Sequence, residues 1–398
     1  MDPRWTLLLV FGLAACQQKT PEKVFPESAQ KPQSICQTQM LPTEFIVQWE
    51  DGRRTLEKAE NAEHFKEKFL GSRLDSIRHV EFNKRIHSFR AHSNSDFQTQ
   101  DMLASDPLIP HIREEQWGVS RIEAAAVWSQ GFQGQGVRVA VVDSLVDRKH
   151  PQLETRVVAG YDFFGNSNSW TIAKGNDHGT HVAGIIAADS SKGPLTGVAP
   201  QALIVAANFM DQEGAGNLAD AVRAIDYSVQ NGARVINASW GGPCPSSTLE
   251  LSLKDLESRG VLFITASGNS GEDLDQTPSF PAAYAVPAQI TVAATGVSDL
   301  MTGWSNSSFR LVNLGAPGVD ILSTTPNNTF KFLSGTSMAT PMVAGAAALL
   351  ISAFPKASPA DIKQALLQSV DIREYRVGTR GRLNVRQALE LLKAKSIP

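Results

Sequence analysis

Apolar positions along this chain follow two periods, and the change from one to the other marks out its parts. Short apolar runs at residues 137–142, 203–207, 234–237, 261–266 and 290–294 are continuous rather than alternating, the pattern of strands buried on both faces. Helical faces lie between several of them. Leu218, Val222, Ile225 and Val229 recur at spacings of four, three and four, and Leu249, Leu253 and Leu256 do the same, each set forming one stripe of a helix. Ser358-Pro359-Ala360-Asp361 carries a cap, a first-turn proline and an early acid, a helix start. Strand and helix in alternation predict an α/β body over residues 116–398, with a mostly parallel, doubly wound sheet.

Ahead of it the pattern differs. Within residues 44–115, Phe45-Ile46-Val47 reads as strand, 59–70 as a helix with charged faces, and 77–91 alternates like paired strands, a small α+β domain. Its histidines, His64, His79, His87, His92 and His111, share no ligand spacing and read as solvated surface groups. Residues 17–43 are rich in Gln, Lys, Pro, Ser and Thr without apolar period, which predicts a flexible tether. Residues 1–16 place Arg4 before an apolar stretch and end in Leu13-Ala14-Ala15-Cys16, an export signal too short to stay as a membrane span. This ending resembles a bacterial lipoprotein box, which implies a lipid on Cys16. A plain secretory signal with an incidental Cys stays open beside that reading. No later stretch reads as an apolar run of about eighteen residues, the length needed to span a bilayer.

Composition adds constraints. The 398 residues are 42% apolar and 19% charged, with a formal net charge of −3. Such a chain can bury a large core, and it has neither the basic surplus of a nucleic-acid binder nor an acidic tail. Three cysteines, Cys16, Cys36 and Cys244, are too few for a disulfide scaffold and fit no zinc spacing. Free Cys36 and Cys244 are preferred to a bridge between them, because processing can leave them on separate chains.

Three segments combine a reactive side chain with small neighbours. Asp143 ends the run Val139-Ala140-Val141-Val142, at the carboxyl edge where open α/β sheets bind ligands. His178 opens His178-Gly179-Thr180-His181-Val182-Ala183-Gly184, whose small residues allow close backbone approach. A metal pair of His178 and His181 lacks the adjacent Glu and further ligands of a helical zinc site. His178 is therefore the acid–base candidate and His181 a packed neighbour. Ser337 lies in Gly335-Thr336-Ser337-Met338-Ala339-Thr340-Pro341, at the start of a helix of small residues, with backbone N–H groups beside it. A hydroxyl needs a base, and the base needs a group to fix its tautomer. Asp143, His178 and Ser337 supply all three. Asn269, in Ser267-Gly268-Asn269-Ser270-Gly271 after another buried run, can donate to an oxyanion.

The order Asp, His, Ser with these flanks resembles the subtilisin family of serine peptidases, for which subtilisin is itself the type case. The resemblance runs from about residue 117 to 394. It implies that Asp143 orients His178, that His178 acts as base and then acid, that Ser337 attacks, and that Asn269 helps hold the oxyanion. It further implies that Ser239-Trp240-Gly241-Gly242 pairs with substrate backbone, and that Ser267, Gly268 and Ser279 shape the substrate pocket. Residues 44–115 then resemble the family's inhibitory propeptide, with self-cleavage expected between His111 and Gln116; whether the catalytic domain then leaves the lipid-bearing piece or stays tethered is left open. A monomer acting on protein or peptide substrates is expected, either membrane-anchored or secreted.

Departures from the family pattern carry expectations of their own. Leu145 stands where Gly is usual, so the turn after Asp143 is expected to differ. Ser279 replaces a Gly at the pocket floor. Residues 189–200 keep the length of a calcium loop, but Gln152 replaces an acidic ligand, which leaves structural calcium an open expectation. No cofactor is required for the chemistry. Two other functions compete: a binding lipoprotein that has lost catalysis, which would have no physical reason to keep Asp143, His178, Asn269 and Ser337, and an esterase, which would not need the backbone-pairing segment.

Overall fold

The structure is a computed structural model that describes residues 34–89, 92–97, 116–168 and 177–396. Its N-terminal unit runs α1 (Ser34–Gln39), β1 (Met40–Trp49), β2 (Arg54–Lys58), α2 (Ala62–Phe65) and β3 (Ile77–Ser88), with a further strand, β4 (His92–Phe97). Strand β1 pairs antiparallel with both β2 and β3. Phe45 stacks on Phe65 at 4.2 Å between ring centroids, over Val47, Leu70, Ile77 and Val80. The alternation from residue 77 thus gives one long strand over Ile77–Ser88 instead of a hairpin, because β1 provides its partner. The chain is also structured earlier than residue 44: the expected tether ends in α1 and the opening of β1.

The second body contains α3 (Trp117–Arg121), α4 (Ala124–Trp128), β5 (Arg138–Asp143), β6 (Val157–Asp162), α5 (His178–Ala187), β7 (Leu203–Asn208), β8 (Ala215–Asn217) and α6 (Leu218–Gln230). It continues with β9 (Val235–Ala238), β10 (Trp240–Gly241), α7 (Ser247–Lys254), β11 (Leu262–Ala266), β12 (Gln289–Thr295), β13 (Leu314–Pro317), β14 (Ile321–Thr325) and β15 (Thr329–Ser334). It closes with α8 (Thr336–Ala353), α9 (Pro359–Gln368), β16 (Asp371–Ile372), β17 (Gly381–Arg382) and α10 (Val385–Ser396). The central sheet has the order β16-β17-β13-β12-β11-β9-β5-β7-β6. Its neighbours run parallel except β16 and β17. One apolar layer packs α5 and α8 on one face, and a second packs α6 and α7 on the other. This is the doubly wound α/β arrangement expected from the runs.

Helix α8 revises the reading that no later apolar run is long enough to span a bilayer: its eighteen residues have a mean hydropathy of 1.4. Ala, Gly and Ser kept it from reading as a continuous apolar run. It lies buried in the core from Thr336 to Ile351, where those small residues let the sheet and α5 approach. Pro341 sits inside it and has no N–H to give the carbonyl of Ser337. The hydroxyl of Ser239 donates to that carbonyl instead, at 3.0 Å.

The two bodies are joined through side chains of β3. The carboxylate of Glu81 accepts from Ser246 Oγ at 2.6 Å and from Thr248 N at 2.8 Å, at the start of α7. Asn83 Oδ1 accepts from Ala219 N at 3.0 Å, at the start of α6. Both satisfy N–H groups that a helix start leaves open. Ile46 and Ile86 join the apolar layer that contains Trp240 and Leu249. Cys36 and Cys244 are disulfide-bonded with their Cα atoms 5.5 Å apart, contrary to the free-thiol expectation. Sequence spacing could not anticipate this, because the docking of β3 on β10 is what brings α1 beside residue 244.

Candidate active site

Asp143, His178, Asn269 and Ser337 converge at the carboxyl edge of the parallel sheet, around its switch point. Asp143 ends β5 and is fully buried. Its Oδ1 accepts from His178 Nδ1 at 2.7 Å and from Ser144 N at 2.7 Å. His178 is the first residue of α5. That helix start is fixed by Gly179, whose N–H donates to Ser144 Oγ at 2.9 Å. A Cβ on Gly179 would lie 2.3 Å from the carbonyl oxygen of Ser144, so only Gly lets α5 come this close to β5. Leu145 is accommodated without a left-handed backbone, so the turn needs no Gly there.

The electrostatics of His178 follow from this contact. Burial pulls its pKa down, but the charge of Asp143 and the hydrogen bond to it outweigh burial and leave the pKa above the ordinary 6.5. His181, one turn on, is fully buried, and burial pushes its pKa to about 3 despite the contact of Nε2 with the Lys331 carbonyl at 3.0 Å. It stays neutral and structural, as expected of a packed neighbour.

Ser337 occupies the first turn of α8. Its hydroxyl donates to the Ser239 carbonyl at 3.1 Å. A rotation about χ1 would release it toward a base. Asn269 faces it across the edge: its Oδ1 accepts from Thr336 N at 2.9 Å and from Thr336 Oγ1 at 2.7 Å. That fixes the amide with Nδ2 over Gly335, 3.2 Å from where a Cβ would sit.

The substrate-pocket residues divide by role. The backbone of Trp240 and Gly241 forms β10, while the Trp240 indole turns into the core and donates to the Val142 carbonyl at 2.8 Å. Ser267 donates to the Asn306 carbonyl at 3.0 Å, so its hydroxyl shapes the loop and only its backbone is left to meet a substrate. Gly241, Gly268 and Ser279 line a pocket, and the pocket holds a side chain of this same protein. A Cβ on Gly241 would lie 2.6 Å from Phe89 Cζ and 3.3 Å from Ser279 Oγ, and one on Gly268 would lie 3.4 Å from Phe89 Cε1. Phe89 directly follows β3, which runs antiparallel between β8 and β10. Arg85, Ile86 and His87 oppose Asn217, Gly216 and Ala215, while His87 and Ser88 oppose Gly241 and Trp240. Ser88 N also donates to the Gly214 carbonyl at 2.8 Å. The groove therefore takes an extended polypeptide and reads it by backbone pairing.

Sequence reasoning missed β8 and Phe89. The Gly214-Ala215-Gly216-Asn217 stretch after β7 was the available signal for a flat rim, and an aromatic residue ending an alternating strand was the signal for Phe89. Cys16 and the segment from His111 to Glu115 lie outside the described residues; Gln116 does not, and it holds Thr196 through side-chain hydrogen bonds to that residue's backbone.

The calcium expectation can be tested on its donors. Gln152 Nε2 donates to the carbonyls of Asp189 at 2.9 Å and Leu195 at 2.7 Å, while its Oε1 accepts from Leu195 N at 3.3 Å. Asp189 pairs with Arg156 at 2.7 Å. Calcium needs several oxygens converging on one point. Here an amide N–H₂ group takes the loop carbonyls and a guanidinium takes the carboxylate, so these residues do not fit the ion.

Comparison with known proteins agrees with this geometry. Residues 134–388 match the subtilase family. Subtilisin E of Bacillus subtilis is 37% identical over 275 residues, covering 66% of this chain and 71% of that protein. An alkaline protease of Shouchella clausii is 39% identical over 276 residues, covering 67% and 70%. In three dimensions the chain resembles fervidolysin from Fervidobacterium pennivorans, a keratinolytic enzyme related to subtilisin, with a TM-score of 0.77 and 25% identity over 90% of this chain. It spans 62% of fervidolysin's length. The chain belongs to the subtilase family and is a subtilisin-like serine endopeptidase.

Proposed function

We propose that this endopeptidase is made as an exported precursor that matures by cutting itself, with residues 44–115 serving as the inhibitory propeptide and Cys16 carrying a lipid. The observation that carries the reading is β3 lying antiparallel between β8 and β10 with Phe89 in the pocket. A site that pairs with backbone on both sides is built for polypeptide, whereas an ester would need only the reacting atoms held. The enzyme's own chain is the first substrate to reach it.

In this reading Ser337 Oγ attacks the scissile carbonyl while His178 Nε2 takes its proton, and Asp143 holds the imidazole with Nδ1–H toward it. The oxyanion forms beside Asn269 Nδ2 and the N–H of Ser337. His178 returns the proton to the leaving amine, and water then hydrolyses the acyl-enzyme. The export signal and the Leu13-Ala14-Ala15-Cys16 box support the location. The decisive experiment expresses the chain and its Ser337→Ala variant, then follows self-cleavage and casein hydrolysis. The parent should do both and the variant neither. A folded parent that does neither overturns the reading, and a variant that processes equally overturns self-cleavage.

A further inference from the structure

We infer that the bond this enzyme cuts in its own chain is the one on the carboxyl side of Phe89, and that the Cys36–Cys244 disulfide then keeps the severed N-terminal unit attached. The inference rests on the endopeptidase reading above and sharpens it, because it moves self-cleavage away from the segment between His111 and Gln116 and decides between release and retention.

The register carries the first half. Strand β3 is held by β8 and β10 up to Ser88, whose N–H is bonded to Gly214. Phe89 places its ring against Gly241, Gly268 and, through Gly241, Ser279. Gly268 is the neighbour of Asn269, which is bonded to Thr336, the neighbour of Ser337. The carbonyl following a pocket-bound side chain is the group delivered to such a nucleophile. On the far side, β4 pairs antiparallel with β15, and Ser334 opposes His92. Strand pairing thus holds the described chain up to Phe89 and again from His92, the second time beside Ser334, three residues before Ser337. Three peptide bonds separate Phe89 from His92 in the sequence, and the pocket selects the first. Ser337 Oγ bonds to the Phe89 carbonyl carbon, the C–N bond to residue 90 breaks, and the leaving amine takes the proton held by His178. Water then restores the Ser337 hydroxyl and leaves a Phe89 carboxylate.

The disulfide carries the second half. Cys36 lies before the cut and Cys244 after it, and they are bonded. Hydrolysis after Phe89 breaks the main chain between them and leaves the bridge intact. The product is a two-chain enzyme whose N-terminal unit stays linked to the catalytic body after its strand leaves the groove. Any anchor ahead of Cys36 then holds the catalytic body too.

The test uses the full chain exported to an oxidising compartment, with Ser337→Ala, Phe89→Asp, Phe89→Leu and Cys36→Ser beside it. On denaturing gels the parent should run as one band without reductant and as two with dithiothreitol, and its unreduced mass should equal the uncut chain plus one water. The larger fragment should begin at Arg90. Cys36→Ser should give two bands without reductant. Phe89→Asp should slow processing by about tenfold or more, since a carboxylate suits neither the apolar ring site nor its glycine walls, while Phe89→Leu should still process. A parent active on casein whose new N-terminus lies elsewhere overturns the bond assignment and leaves the endopeptidase reading standing. Two parent bands without reductant overturn the covalent retention. An inactive, unprocessed but folded parent overturns both the inference and the reading beneath it.

Discussion

Thr336 holds Asn269 twice, its backbone N–H and its hydroxyl both donating to the same Oδ1 at 2.9 and 2.7 Å. The residue before the nucleophile thereby fixes which end of the amide faces the cleft. A preorganised donor is worth more than a mobile one because it needs no reorganisation as charge develops. Asn269→Ala should lower kcat by about 10²–10³ through loss of the donor itself. Thr336→Val keeps the backbone bond and the side-chain shape but removes one anchor, so kcat should fall by about tenfold with KM nearly unchanged. Steady-state kinetics on a peptide substrate reads this directly. A raised KM at unchanged kcat would mean that Thr336 serves binding instead of the oxyanion.

The pH profile should report His178. The imidazole must be neutral to accept the Ser337 proton, and its pKa lies above 6.5 because Asp143 outweighs burial. Activity should therefore rise with pH through a midpoint above 6.5. In Asp143→Asn the raising causes are gone and burial remains, so the midpoint should move to lower pH. The same change favours the wrong tautomer and should cost about 10⁴ in kcat. The profile of kcat/KM for both proteins, taken on the matured enzyme, checks the sign. A midpoint unmoved by the substitution would remove His178 as the titrating group.

Much of this was legible in the sequence, for identifiable reasons. Buried parallel strands show as continuous apolar runs, so β5, β7, β9, β11 and β12 were readable, and a nucleophile helix made of Ala and Gly is chemically conspicuous. Asp143 closes such a run, His178 and Ser337 open helices of small residues, and Asn269 follows a run in a Gly-flanked loop, which makes each of them readable. The fate of Phe89, Glu81 and Cys36 was not legible. Each depends on how β3 docks across residues more than a hundred positions away, and no local period encodes that register. Ser267 shows a further limit: its place in a motif does not reveal that its hydroxyl is bonded to the Asn306 carbonyl, a contact 39 residues away.

Docking of the N-terminal unit should weaken in acid through Glu81. Burial opposes its ionisation, but Lys84 and the hydrogen bonds from Ser246 and Thr248 outweigh burial and lower its pKa. A carboxylate with a depressed folded-state pKa stabilises fully above its free value, 4.5, and that contribution is lost as pH falls through the lowered value. In the uncleaved Ser337→Ala precursor, Tm should therefore drop below about pH 4.5 more steeply than in the same precursor carrying Glu81→Gln. Glu81→Ala leaves the Lys84 ammonium with the Pro245 carbonyl alone and both donors at the start of α7 unpaired, so it should cost about 3 kcal/mol at neutral pH. Thermal unfolding across pH 3–7 separates these outcomes, and parallel curves for Glu81 and Gln would remove the carboxylate from the interface account.

Gln152 predicts how the enzyme responds to calcium. Its amide donates to the Asp189 and Leu195 carbonyls while accepting from Leu195 N, so one neutral side chain closes the loop that an ion could otherwise close. Removing divalent ions with EDTA should leave Tm unchanged within about one degree, because no coordination is lost. Gln152→Asp should reverse this. The shorter carboxylate cannot donate to the two carbonyls, which lowers Tm in EDTA, and it puts an anionic oxygen beside oxygens that are now free. Added calcium should then restore part of the lost stability in proportion to the logarithm of its concentration above Kd. A parent that loses Tm in EDTA would show that a divalent ion binds despite the amide, and an unresponsive Gln152→Asp would show that Arg156, which holds Asp189, keeps the loop closed to cations.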